Sequence, residues 1–317
     1  MTIISEWTTA KVRRCPSTGV DINMAYQTFG NKDTGSPLML IMGLGGSGVV
    51  WADDFVIELA EKHGFFVVRY DNRDAGRSTM LDSFKPTPLI VGATMPKFLW
   101  PKVAYQLKDM ADDCVALMDH LKLEKAHIFG VSMGGMIGQE LLIHHPNRLL
   151  SVGLCNTTTG NQSLPQPGLA VVKEFLKKPK SNSDEDVIEF TSKMHQYIIY
   201  SRLPDADWEW IRARSRRTLD HAPRNPSGNA RQLWAIQSAK PRDEALAKLD
   251  VSRIPTMVMV GLKDILVHPA HGYHLASLIQ GSKLVTVDDM PHGLLKAHRS
   301  VVTHAIKANA NRQGGRG

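Results

Sequence analysis

Short, unbroken apolar runs alternate with stretches of helical periodicity along most of the chain, and the alternation lapses only between residue 157 and about residue 250. Pro37-Leu38-Met39-Leu40-Ile41-Met42, Phe65-Phe66-Val67-Val68-Arg69-Tyr70, the run 126–131, the run 149–156 and Pro255-Thr256-Met257-Val258-Met259-Val260-Gly261 have the continuous character of strands covered on both faces. Between them, residues 51–63, 107–121 and 136–145 carry apolar side chains at helical spacing, as in Met110, Cys114, Leu117, Met118 and Leu121. The chain opens differently. Residues 11–14 and 20–28 alternate around a Pro16-Ser17-Thr18-Gly19 turn and predict an antiparallel hairpin at a sheet edge. After the lapse, the pattern predicts a strand over 255–261, a helix over 269–280, a strand over 283–287 and a last helix over 294–308. Strands that alternate with helices form right-handed parallel crossovers, so the expected class is α/β, a mostly parallel central sheet with helices on both faces.

The lapse is itself informative. Thr157-Thr158-Thr159-Gly160 with Pro165 and Pro167 reads as a boundary, after which 169–177, 186–200, 207–219 and 229–239 read as helices without intervening strands. The expected organisation is a core of residues 1–156 and 249–317 with a helical cap of residues 157–248 inserted into it. A second irregular stretch, 83–103, holds Pro86, Pro88, Pro96 and Pro101 among Leu89, Ile90, Phe98, Leu99 and Trp100. The prolines forbid a long helix while the apolar residues need cover, which predicts a loop folded onto the domain. Trp100, Met194, Tyr197, Trp208 and Trp234 lie in these two segments and are expected to roof an apolar substrate pocket; the competing expectation is that they form the cap's own core.

With 317 residues, 43% of them hydrophobic and 22% charged, the chain has the composition of an ordinary globular protein. No apolar run approaches the length of a membrane span, and residues 1–7 lack a basic region followed by an apolar one, so a cytoplasmic protein is expected. Cys15, Cys114 and Cys155 have no paired spacing, which predicts reduced, buried thiols rather than a disulfide framework or a zinc site. The net charge of +7 is dispersed and partly carried by Lys307, Arg312 and Arg316 in a polar tail. It does not mark a nucleic-acid-binding surface.

Chemistry enters at Gly130-Val131-Ser132-Met133-Gly134, a G-x-S-x-G pattern between a predicted strand and a predicted helix. The glycines permit a strained turn that lifts the serine hydroxyl above the sheet edge, and the helix start aims unpaired N–H groups at the same place. The loop Gly43-Leu44-Gly45-Gly46-Ser47-Gly48 has neither dinucleotide-binding spacing nor a phosphate-binding lysine. Its small residues suit close approach of a backbone N–H to an oxyanion. Asp71-Asn72-Arg73-Asp74-Ala75-Gly76-Arg77-Ser78 reads as a charged turn tied to the sheet end by opposite charges.

Two loops past later strands supply the rest. Asp264 follows Gly261-Leu262-Lys263, and His292 stands in Met290-Pro291-His292-Gly293. Parallel strands bring their C-terminal ends to one edge, so Ser132, Asp264 and His292 are expected to converge. A serine hydroxyl needs a base, and the imidazole needs a carboxylate to set its tautomer and stabilise its cation. Of the thirteen histidines, His144, His145, His271, His274, His298 and His304 fall in predicted helices, His127 in a strand and His268 at a helix start. Asp288 and Asp289 sit so near His292 that they are expected to hold its loop.

On these residues the chain resembles the α/β-hydrolase family over nearly its whole length. Gly130–Gly134 is similar to the nucleophile elbow, Gly261–Asp264 to the acid loop and Met290–Gly293 to the histidine loop; Ile41-Met42-Gly43-Leu44-Gly45 resembles the first oxyanion loop, with Met42 where many members have histidine. Arg69–Ser78 is similar to the matching stretch of aclacinomycin methylesterase-type hydrolases and of bacterial lipase and esterase relatives. The resemblance implies a serine hydrolase of small-molecule or lipid-like carboxylic esters, with the N–H groups of Leu44 and Met133 as the oxyanion hole and with no metal or organic cofactor. The same machinery serves thioester, lipid-deacylating, C–C-hydrolysing and cofactor-free perhydrolase relatives, and a non-catalytic ligand receptor is the reading from a different class. Dehalogenase and epoxide hydrolase branches use aspartate where Ser132 stands.

Overall fold

In the computed structural model, which describes residues 2–87, 99–100, 102–175, 177–200 and 208–312, the apolar runs become one eight-stranded sheet in the order β1-β2-β4-β3-β5-β6-β7-β8. Its strands are β1 (Thr8–Arg14), β2 (Asp21–Phe29), β3 (Ser36–Ile41), β4 (Phe65–Tyr70), β5 (Ala126–Val131), β6 (Leu149–Cys155), β7 (Thr256–Gly261) and β8 (Lys283–Val287). The β1–β2 and β2–β4 pairs are antiparallel and all later pairs are parallel. Among the described residues the helices are α1 (Asp53–Glu61), α2 (Leu107–His120), α3 (Met133–His144), α4 (Leu169–Phe175), α5 (Asp184–Met194), α6 (Trp208–His221), α7 (Pro226–Ser238), α8 (Asp243–Ala247), α9 (Ala270–Leu278) and α10 (Arg299–Ala310).

Strands β4, β5 and β7 are buried at every position because helices cover both sheet faces. Successive side chains point to opposite faces. Leu38, Leu40, Val67, Phe129, Met257 and Met259 pack with Phe55 and Leu59 of α1 and with Val302 and Ile306 of α10. Met39, Ile41, Val68, Ile128 and Val258 pack on the other face with Met110 and Leu117 of α2, Ile137 of α3 and Leu275 of α9. All three cysteines are free and buried, and burial pushes the Cys114 thiol up to about 12. Burial raises the Cys155 thiol as well, so neither of these two is a reactive thiolate.

Between β6 and β7 the described residues hold α4 to α8 and no strand. Helix boundaries differ from expectation where caps lie outside the apolar periodicity. α5 starts at Asp184 because the Ser183 hydroxyl accepts the Asp186 N–H (3.3 Å), and α7 starts at Pro226 because the Asn225 side chain accepts the Gly228 N–H (2.9 Å). Past Met194 the chain continues as a wider turn, His195–Ile199. α8 was not expected from the pattern. The last helix begins at Arg299 rather than 294, after a short turn Lys296–His298 whose His298 ring meets Asp289 at 3.2 Å. Leu89, Ile90, Phe98, the prolines at 88, 96 and 101, and the tail residue Arg316 lie outside the described residues. No helix among the described residues is long and apolar enough to cross a membrane.

Candidate active site

β5 delivers Ser132 into a turn with φ 57° and ψ −119°, a left-handed backbone that a residue with a side chain adopts only under constraint. The constraint is visible. Ser132 N–H donates to the Cys155 carbonyl (2.9 Å), while its own carbonyl accepts from Met136 N–H (3.1 Å) and the Thr157 hydroxyl (2.8 Å). A Cβ on Gly130 would lie 2.2 Å from the Gly134 carbonyl oxygen, and one on Gly134 would lie 2.1 Å from that of Ile41. Both glycines are therefore required by the packing of α3 against β5 and β3. Met133 is the first residue of α3, so its N–H has no acceptor within the helix and remains available beside Ser132.

The carboxylate and the imidazole are in direct contact. Asp264 Oδ2 lies 2.7 Å from His292 Nδ1, with both side chains almost fully buried. The other oxygen, Oδ1, accepts the N–H groups of Leu266 and Val267, each at 2.8 Å. Held this way, the carboxylate assigns the ring proton to Nδ1 and leaves a lone pair on Nε2. Asn156, at the end of β6, joins the two loops: its Oδ1 accepts the Gly261 N–H (2.8 Å), and its Nδ2 donates to the carbonyls of Pro291 (2.9 Å) and His292 (3.0 Å). Sequence reasoning missed this residue. The available signal was an asparagine just past a strand end, a residue type that tolerates the φ of 44° found there.

Gly43 approaches the serine so closely that a Cβ on it would stand 3.1 Å from Ser132 Cβ. The loop around Leu44 is held from α7, where Gln232 Oε1 accepts the Gly45 N–H (2.8 Å) and Nε2 donates to the Arg73 carbonyl (2.7 Å). Gln232 is fully buried, and nothing in its helical spacing announced this contact. The charged turn is also tied down: Asp71 N–H donates to the Ala25 carbonyl of β2 (2.9 Å), the Ser78 hydroxyl accepts the Ala25 N–H (2.9 Å) and Asn72 Nδ2 donates to the carbonyl of Met42 just past β3 (3.0 Å), while its charged side chains pair mainly with helices. Asp71 receives the N–H groups of Gly48 (2.6 Å) and Arg77 (2.7 Å) and contacts His221 Nε2 of α6 (2.8 Å). Arg73 forks onto Asp113 of α2 (2.6 and 2.7 Å), and Asp74 accepts two bonds from Arg231 of α7 (2.9 and 2.7 Å) and one from the Tyr105 hydroxyl (2.8 Å).

Replacing Arg231 with methionine would leave Asp74 as a buried charge without its cation. We expect a loss of about 3–5 kcal/mol in unfolding free energy, read from urea titrations. A change below about 1 kcal/mol would show that the pair does not hold α7 in place.

Of the aromatic candidates, Trp100 and Trp234 meet edge to face with ring centroids 5.1 Å apart. Trp234 donates its indole N–H to the Thr87 carbonyl (2.6 Å) and, with Phe84, Val103 and Arg231, lines a cleft of about 380 Å³. Met194 and Tyr197 are half-buried near the end of the α5 run, where the Ile199 carbonyl accepts the N–H of Gly293, the residue after His292 (2.7 Å). Trp208 is half-buried at the start of α6. Tyr200, Ile211 and Trp210 pack together as a small core of the helical segment itself.

A model of the alpha/beta hydrolase fold matches residues 36–297. Rhodomycin D methylesterase DauP of Streptomyces sp. (strain C5) is 26% identical over 293 residues, which cover 86% of this chain and 90% of the relative. Putative carbamate hydrolase RutD of Pseudomonas syringae pv. syringae is 29% identical over 254 residues, covering 79% and 84%. Among solved structures, the enol-lactonase from Burkholderia xenovorans LB400 shares the fold with a TM-score of 0.67 at 24% identity, covering 92% of this chain and 97% of that one. The methylesterase relative accords with the resemblance carried by Arg69–Ser78. With its parallel sheet, its glycine-flanked serine turn and a family match over most of its length, the chain belongs to the α/β-hydrolase family.

Proposed function

We propose that this hydrolase cleaves carboxylic esters through an acyl-enzyme. Ser132 Oγ attacks the acyl carbon while His292 Nε2 takes its proton; the bond to the alcohol oxygen breaks, and the alcohol leaves with that proton. Water then attacks the acyl-enzyme, again giving a proton to His292, and the acid departs as Ser132 Oγ recovers it. Asp264 holds the imidazole and stabilises its cation, and the N–H groups of Leu44 and Met133 receive the oxyanion. The observation that carries the reading is the buried 2.7 Å contact between Asp264 and His292, at the same sheet edge as the Ser132 turn. Free, buried cysteines suit a reducing compartment, the cytoplasm.

Labelling with a fluorophosphonate, followed by peptide mass spectrometry, tests the nucleophile. One adduct per chain, on the peptide that contains Ser132, is the expected result. No adduct, or one on another residue, removes the reading.

In the same proposal, residues 157–248 form a cap on a core of residues 1–156 and 249–317. Trp100, Met194, Tyr197, Trp208 and Trp234 then border the apolar room for the substrate. Burying one CH₂ is worth ~0.8 kcal/mol, so kcat/KM for p-nitrophenyl esters is expected to rise by up to about fourfold per methylene until the room is full, then level or fall. Methyl esters of bulky acids test the alcohol side, following the methylesterase relative. A kcat/KM independent of chain length in both series would leave those side chains as packing alone.

A further inference from the structure

At the other end of the parallel strands from Ser132, helices α1 and α10 bring three metal-ligating side chains together. Glu58 of α1, His63 just beyond it and His304 of α10 each offer a ligand atom, and these atoms all lie within 4.8 Å of one another. His63 stands just before β4 and is about nine-tenths buried, yet its Nε2 has no hydrogen-bond partner among the described residues. An unpaired buried nitrogen is costly and calls for a ligand. It faces Glu58 Oε1 at 4.0 Å and meets the His304 ring edge to face at 5.0 Å.

The partners are oriented as metal ligands are. His304 Nδ1 lies 2.7 Å from the Ser300 carbonyl, so Nδ1 carries the proton and Nε2 keeps a lone pair. Glu58 Oε1 accepts the hydroxyl of the buried Thr303 at 3.0 Å.

We propose that Glu58, His63 and His304 bind one Zn²⁺ ion, which clips α1 to α10. Two imidazoles and one carboxylate suit zinc, whereas Mg²⁺ and Ca²⁺ favour all-oxygen sets. Zinc bonds of 2.0–2.2 Å put tetrahedral ligand atoms about 3.3 Å apart, so the 4.0 Å between His63 and Glu58 closes by less than 1 Å and the widest separation, at most 4.8 Å, by at most about 1.5 Å, shared between two side chains of which His304 is exposed. His304 is exposed, which leaves an open side where water completes the shell. The ammonium groups of Lys62 and Lys307 act on the His63 ring and oppose a cation, so a micromolar rather than a tighter Kd is expected. The site lies apart from the hydrolase residues, so it stands whether or not the ester reading holds.

The test is calorimetric titration of chelator-stripped, dialysed protein with ZnCl₂ at pH 7.5, with thermal unfolding at about 100-fold excess over Kd. One equivalent bound with a micromolar Kd and a Tm rise of about 5 °C are expected, and MgCl₂ is expected to give neither. His304→Ala, at an exposed position, is expected to weaken zinc at least 30-fold and abolish the Tm rise while ester turnover is unchanged. His292→Ala, which removes the competing imidazole, is expected to keep full binding. The proposal is overturned if wild-type protein shows no saturable zinc binding, or if His304→Ala binds as tightly as wild type.

Discussion

Ser132→Ala is expected to lower kcat for ester hydrolysis by about 10⁶ and to abolish fluorophosphonate labelling, the scale on which serine proteases lose activity without their nucleophile. The change removes one oxygen and adds no bulk. The φ of 57° is forced by the strand–helix packing and by the bonds to Cys155, Met136 and Thr157, all of which involve the backbone of residue 132 and survive the substitution. Alanine in that conformation is strained to a similar degree as serine, so Tm is expected to stay within about 1 °C of wild type. Turnover is measured with p-nitrophenyl butyrate. A variant that keeps a tenth of wild-type kcat would show that another group attacks the ester, since what remains after loss of a nucleophile comes from binding and oxyanion stabilisation alone.

Asp264→Asn is expected to lower kcat by about 10⁴ with little effect on fold. Asparagine keeps one oxygen, which can go on accepting the N–H groups of Leu266 and Val267. Its amide then turns an NH₂ toward His292 Nδ1, where the carboxylate stands now at 2.7 Å. That contact favours the tautomer with its proton on Nε2, which has no lone pair to receive the Ser132 proton. Asp289→Asn is the control, because Asp289 is mostly exposed and meets only His298 among the described contacts. It is expected to change kcat by less than about twofold. Were Asp264→Asn nearly silent and a change at Asp288 or Asp289 crippling, the acid would be one of those two.

The architecture was legible because it is local. A buried strand declares itself by a run such as Phe65-Phe66-Val67-Val68 and a covering helix by a repeat such as Met110, Cys114, Leu117; neither needs knowledge of a partner. Sheet polarity then places the C-terminal ends of β5, β7 and β8 on one edge, which is why the sequence leads one to expect Ser132, Asp264 and His292 together. The structure brings Asp264 and His292 into contact at that edge. Boundaries were less legible at α5 and α7, since Ser183 and Asn225 cap those helices through single hydrogen bonds upstream of the apolar repeat.

What tertiary structure alone decided is where polar side chains on different elements meet. His221 and Asp71 are 150 positions apart, and neither helical period nor strand register relates them. Arg231 and Gln232 stand side by side in α7, yet one neutralises Asp74 and the other holds the Gly45 N–H. Asn156 ties the acid and histidine loops together only because β6 ends between β5 and β7. Glu58, His63 and His304 likewise converge only where α1 packs on α10. Burial of apolar residues is dictated by pattern, because any apolar neighbour serves. A buried polar atom instead needs one partner at one distance and angle, and chain spacing carries no record of which partner that is.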